Sequence, residues 1–61
     1  MKKNIFDRTN SVIGWTMENS TQIQIFDRAG RMLGYYFKAA DTTHTMHGFF
    51  GRGNQVMRLL E

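Results

Sequence analysis

The chain has no cysteine and no proline, and it carries no long apolar run. Without cysteine, disulfides and thiolate metal sites are excluded. Without a long apolar run, neither a signal peptide nor a transmembrane helix is expected, and the cytoplasm is the default location. No proline-rich or low-complexity stretch divides the 61 residues, so residues 1–61 read as a single domain. A domain this short buries only roughly 60% of its unfolded surface. Small domains usually add a disulfide, a metal or a partner subunit, and with the first excluded a homo-oligomer is expected. Acidic residues are also few: five, against eight Lys and Arg, for a net charge of +3. That charge is ordinary for a soluble small domain and compatible with an anionic partner.

What is present is an internal repeat. Ile5-Phe6-Asp7-Arg8 returns twenty residues later as Ile25-Phe26-Asp27-Arg28, and Val12-Ile13-Gly14-Trp15 is answered by Met32-Leu33-Gly34-Tyr35. A degenerate third copy begins at Phe49-Phe50-Gly51-Arg52, with Val56-Met57 following. The repeats lie near residues 5–17, 25–37 and 49–60, and each reads as strand, tight turn, strand.

The hydrophobic period is close to two, which argues for strands. Ile13, Trp15 and Met17 are expected to share one face, and Leu33, Tyr35 and Phe37 the equivalent face. Gln22-Ile23-Gln24-Ile25 alternates with both isoleucines inward. Further strands are expected near Lys3 to Phe6, Thr45 to Phe50 and Gln55 to Leu60, although Val56 to Leu60 could instead form a short helix. In Asp27-Arg28-Ala29-Gly30-Arg31, the aspartate accepts backbone N–H bonds while glycine takes the left-handed conformation, giving a three-residue hairpin loop with a bulge. Asn10 and Asn54 stand where Gly30 stands and tolerate the same conformation. The expected fold is all-β: an antiparallel meander of about six short strands from three quasi-repeated hairpins, closed into a small barrel or flower. Stacking equivalent residues predicts a core of Ile5, Ile25 and Phe49; Ile13, Leu33 and Met57; and Trp15, Tyr35 and Leu59. Gly14 and Gly34 inside strands imply a bulge or the close approach of an aromatic such as Phe26.

The segment from Phe26 to Tyr35, Phe-Asp-Arg-x-Gly-Arg-x-x-Gly-Tyr, resembles the repeated hairpins of short bacterial and phage proteins, among them the four-fold beta-flower domains of unknown function. The larger YD and WG repeat proteins use similar hairpins. The resemblance implies an all-β fold and no particular activity. The third copy departs from the pattern, with Gly51 for Asp and Arg58 for the second Gly.

Three groups of residues invite a functional reading. Arg8, Arg28 and Arg52 share a turn position and, joined by Arg31, would gather at one end, where guanidinium forks suit an anionic ligand. Alternatively, each Arg stem covers a phenylalanine. Tyr36 and Lys38 are expected to face away from the core, with Tyr36 the exposed stacking candidate for a base. His44 and His47 invite a metal reading, but residues three apart on a strand point to opposite faces. They read instead as surface or half-buried histidines. Gly51-Arg52-Gly53-Asn54 superficially suggests a phosphate loop, yet lacks the following helix. No nucleophile–base–acid set or paired carboxylates occur, so no enzyme, cofactor or metal is expected. The expectation is a non-enzymatic binding or assembly module acting on itself, a protein or an anionic ligand. A basic β-barrel that binds nucleic acid is the alternative.

Overall fold

The computed structural model describes residues 1–60. Six strands follow in order: β1 (Lys2–Phe6), β2 (Val12–Glu18), β3 (Gln22–Asp27), β4 (Met32–Phe37), β5 (Thr42–Thr45) and β6 (Gly48–Arg52). They pair antiparallel with their sequence neighbours in one sheet of order β1-β2-β3-β4-β5-β6. The expected all-β meander is therefore present. The expected closure is not: the sheet stays open, with β1 and β6 at its edges.

The first two hairpin turns follow the expected chemistry. The Asp7 carboxylate accepts from the backbone N–H groups of Thr9 and Ser11 at 2.8 and 3.1 Å, and Asp27 accepts from Ala29 and Arg31 at 2.9 and 3.0 Å. Asn10 (φ 65°) and Gly30 (φ 90°) take the left-handed positions. The third hairpin lies elsewhere than expected. Thr45 pairs with Gly48, so the chain reverses at Met46-His47, and the turn expected near Gly51–Asn54 belongs to no hairpin.

Strand register shows why. β1 and β2 pair Ile5 with Gly14 and then Phe6 with Val12, leaving Ile13 as the extra residue of a bulge. β3 and β4 pair Ile25 with Gly34 and Phe26 with Met32, leaving Leu33 over. β5 and β6 pair Thr43 with Gly51 and His44 with Phe49, leaving Phe50. All three hairpins thus carry a bulge one residue before a glycine in the second strand. Phe49-Phe50-Gly51 is the counterpart of Val12-Ile13-Gly14, not of Ile5-Phe6-Asp7, and His44 takes the place of Phe6 and Phe26.

The extra residue also breaks the alternation. Ile13 and Leu33 line a cleft with Leu59 and Leu60. A Cβ built on Gly14 would meet Leu60, and one on Gly34 would meet Leu59, at 3.1 and 2.6 Å. The bulge therefore turns two successive residues to one side. Trp15 and Tyr35 come next and lie on the other side, paired with Phe26 and His44. The expected sharing of a face by Ile13 with Trp15, and by Leu33 with Tyr35, is corrected accordingly.

After β6 the chain crosses one side of the sheet and ends in a 3₁₀ turn, Val56–Leu60, packed on β3 and β4. Of the two readings of the last segment, the preferred strand is absent and the short helix is found: Asn54 Oδ1 accepts the Val56 N–H at 3.3 Å, and Arg58 N–H bonds back to the Gln55 carbonyl at 3.0 Å, an i→i+3 closure. Thr43, fully buried, fastens this segment. Its hydroxyl donates to the Gly53 carbonyl at 2.7 Å and accepts the Gln55 N–H at 2.9 Å. The hydrophobic core is thin. Ile25 and Val56 are its fully buried apolar side chains, whereas Phe49 and Met57, both expected in the core, are 63% and 53% exposed.

Three glycines are the floor on which this segment rests. Gly14 lies under Leu60, Gly34 under Leu59, and Gly51 under the Gln55 side chain, 2.7 Å from an added Cβ. The close approach expected at Gly14 and Gly34 is real, but it comes from C-terminal leucines and neighbouring backbone carbonyls, not from an aromatic ring.

Candidate functional site

The arginines do not gather as a set. Arg8 lies in the β1–β2 turn, and Arg28 and Arg31 in or beside the β3–β4 turn, all exposed at one end. Arg28 is near enough to Asp7 to help hold its carboxyl below the ordinary range, after the larger effects of the Thr9 hydroxyl and the Ser11 N–H. Arg31 Nε is engaged by Asp27 at 3.2 Å. Arg52 pairs with Thr42 at the far end of β6 and therefore lies at the opposite end of the sheet. A four-arginine cluster within one chain is excluded by the displaced third hairpin.

Tyr36 and Lys38 are also tied into the fold. Tyr36 pairs with Ile23 and Thr43, so it shares the side on which the 3₁₀ turn sits. Its hydroxyl donates to Asp41 at 2.7 Å, and that bond raises its pKa. Lys38 Nζ bonds Glu18 at 2.7 Å and the Asn19 carbonyl at 2.9 Å, fastening the β2–β3 connection to the end of β4. The lysine hydrogen bond holds the Glu18 carboxyl below its ordinary range. Both residues have their polar groups engaged within the chain.

The other side of the sheet is a different surface, and register places its residues. One row across the strands is Asn4, Trp15, Phe26; the next is Lys2, Met17, Gln24, Tyr35, His44, Phe49; a third is Gln22, Phe37, Thr42, Arg52. Phe6 with Val12 continues it at the hairpin end. Trp15 and Phe26 stack with ring centres 5.8 Å apart, and Tyr35 and His44 at 5.2 Å. Phe49 meets His44 edge-on at 5.8 Å, and Lys2 Nζ sits 4.6 Å from the Trp15 ring centre. Among the described residues no acidic side chain falls on this side. The C-terminal turn packs on the opposite side, so this face is open, and Phe6, Val12, Met17 and Phe49 are exposed on it.

The rings shield one another. Phe26 stacks against Trp15, and the Lys2 ammonium lies over the same ring. Tyr35 is covered on one side by His44. The side chains this surface exposes most are Phe6, Val12, Met17 and Phe49.

His44 shares a hydrogen bond with Thr42 at 2.9 Å, while His47 lies in the following turn. Among the described residues no three His, Cys, Asp or Glu side chains come together. Nor is any helix among them long and apolar enough to cross a membrane.

Sequence reasoning assigned Trp15, Tyr35 and Phe37 to a core and so missed this face. The available signal was the dipeptide that precedes each aromatic, an apolar residue and a glycine, which marks a bulge and hence a change of phase. Comparison with protein-family models, curated proteins and solved structures returns no match.

Proposed function

We propose that the protein is a non-enzymatic binding or assembly module whose working surface is the open aromatic face. One observation carries this reading. A chain with a core of Ile25 and Val56 leaves a tryptophan, a tyrosine and four phenylalanines on the side its C-terminal segment does not cover. Large exposed apolar patches on small proteins mark interaction surfaces. The make-up fits as well: interface centres are rich in Trp, Tyr, Phe and Met and poor in charge. Here the cations, Lys2 and Arg52, stand on the two edge strands.

A nucleic-acid role is the second reading, favoured by the absence of carboxylates on this face among the described residues. Base stacking needs free ring faces, and here Trp15 already stacks with Phe26 and Tyr35 with His44. The geometry therefore favours a protein partner.

Radical footprinting tests the proposal by comparing protein in the expressing cell with dilute purified protein. Met17, Trp15 and Phe49 should lose labelling in the cell, whereas Met57, on the other side, keeps it. Equal labelling of both sets in both samples refutes the reading. If nuclease treatment alone restores labelling, the partner is nucleic acid.

A further inference from the structure

Resting on the reading of the open face as the working surface, we infer that its occupant is a second copy of this chain, docked face to face about a two-fold axis. Three observations lead there.

The first is surface. The chain exposes 4423 Å² at 7.1 kDa, against about 4,100 Å² for a compact monomer of that mass. It has the shape of a half-sandwich: one sheet covered on one side only.

The second is area. Six strands about 4.8 Å apart and about 18 Å long outline about 500 Å². Side-chain relief raises the accessible area of such a face toward the ~800 Å² that each partner gives to a standard interface. Docking two copies uses the whole face, and a partner that left half of it open would fall short of a stable contact.

The third is charge. A two-fold contact sets each residue against the same surface, so like charges at its centre would oppose assembly. The centre of this face holds Trp15, Phe26, Gln24 and Tyr35, with no formal charge. Lys2 and Arg52 lie at the outer strands, at the rim of the contact, where water still reaches them. Two twisted sheets stack about 10 Å apart with their inward side chains interdigitated.

Light scattering coupled to gel filtration, run on the full chain from about 1 µM to 1 mM, tests this. The expected result is a mass that doubles across the series. Phe49→Lys, at an exposed edge-strand position, should raise the dissociation constant at least tenfold, and Met17→Lys should do likewise. Met57→Lys on the opposite side should leave it unchanged. Circular dichroism confirms that each variant folds, and having two variants on the face guards against loss of one. A monomer throughout the series overturns self-docking. The open-face reading then still stands if footprinting in the cell shows the face covered, in which case the occupant is another chain. A dimer that disperses with Met57→Lys and not with the face variants overturns both.

Discussion

Replacing Gly34 by alanine probes the link between sheet and C-terminal turn. The new Cβ would lie 2.6 Å from Leu59 Cδ1 and would also press on the His44 carbonyl of the neighbouring strand. Leu59 can rotate, whereas the carbonyl belongs to the β4–β5 ladder and cannot yield without bending it. Overpacking of this kind costs about 1–3 kcal/mol. The loss of chain freedom in the unfolded state works the other way, by about 0.4–1 kcal/mol. The expected net loss is about 1–2 kcal/mol, and in a domain of this size each kcal/mol moves the melting temperature by about 4–8 °C. Thermal unfolding by circular dichroism measures it. Gly53→Ala is the control: a Cβ there meets nothing within 4 Å, so only its positive φ of 76° opposes the change. Adding Leu59→Ala to Gly34→Ala should recover part of the strain and show non-additive loss. If Gly34→Ala melts at or above the wild-type temperature, the glycine is not a seat for the C-terminal turn.

Thr43→Val keeps the shape but strands the Gly53 carbonyl and the Gln55 N–H, and should cost about 2–4 kcal/mol; urea unfolding checks this, and Thr43→Ser should recover most of the loss. Asp7, Asp27 and Glu18 have carboxyl pKa values held below their ordinary values of 3.8, 3.8 and 4.5, mainly by the Thr9 hydroxyl, the Arg31 N–H and Lys38 respectively. A depressed folded pKa contributes stability above the unfolded value that is lost as pH falls through the folded one. Stability should therefore be level near neutrality and fall below about pH 4; melting curves across that range check it, and Asp7→Asn with Asp27→Asn should flatten the fall. Tyr36→Phe removes the bond to Asp41 and should cost about 1 kcal/mol with no effect on self-association, as read by urea unfolding and light scattering.

The fold was legible in the sequence where local chemistry decides it. Asp7 and Asp27 with Asn10 and Gly30 specify two hairpin turns on their own. The third hairpin was misplaced because Phe49-Phe50-Gly51-Arg52 looks like the first-strand motif, while the register that makes it a second-strand motif depends on pairing with Thr43 and His44. The one local sign of the second alignment is the Phe50-Gly51 dipeptide, which matches Ile13-Gly14 and Leu33-Gly34. Residues 55–60 form a turn rather than a strand because Thr43, twelve residues before Gln55, holds the segment down, and a contact of that range has no sequence period. The face assignments failed at the bulges. One extra residue in each second strand separates Ile13 from Trp15 and Leu33 from Tyr35, so a correct reading of alternation gave an incorrect core. Of the candidate residues, Tyr36 faces away from Tyr35 as alternation implies; the hydrogen bonds that engage its hydroxyl and the Lys38 ammonium, to Asp41, Glu18 and Asn19, are long-range or loop contacts with no sequence signature.

Trp15 is the single tryptophan of the chain and stands within the open face, so its fluorescence reports directly on whether that face is covered. The account predicts emission accessible to acrylamide at micromolar concentration, shifting to the blue and losing quenching as the protein is concentrated, with the shift abolished in Phe49→Lys. Emission that is already shielded at the lowest concentration, or that stays unchanged to millimolar concentration in both proteins, would contradict it.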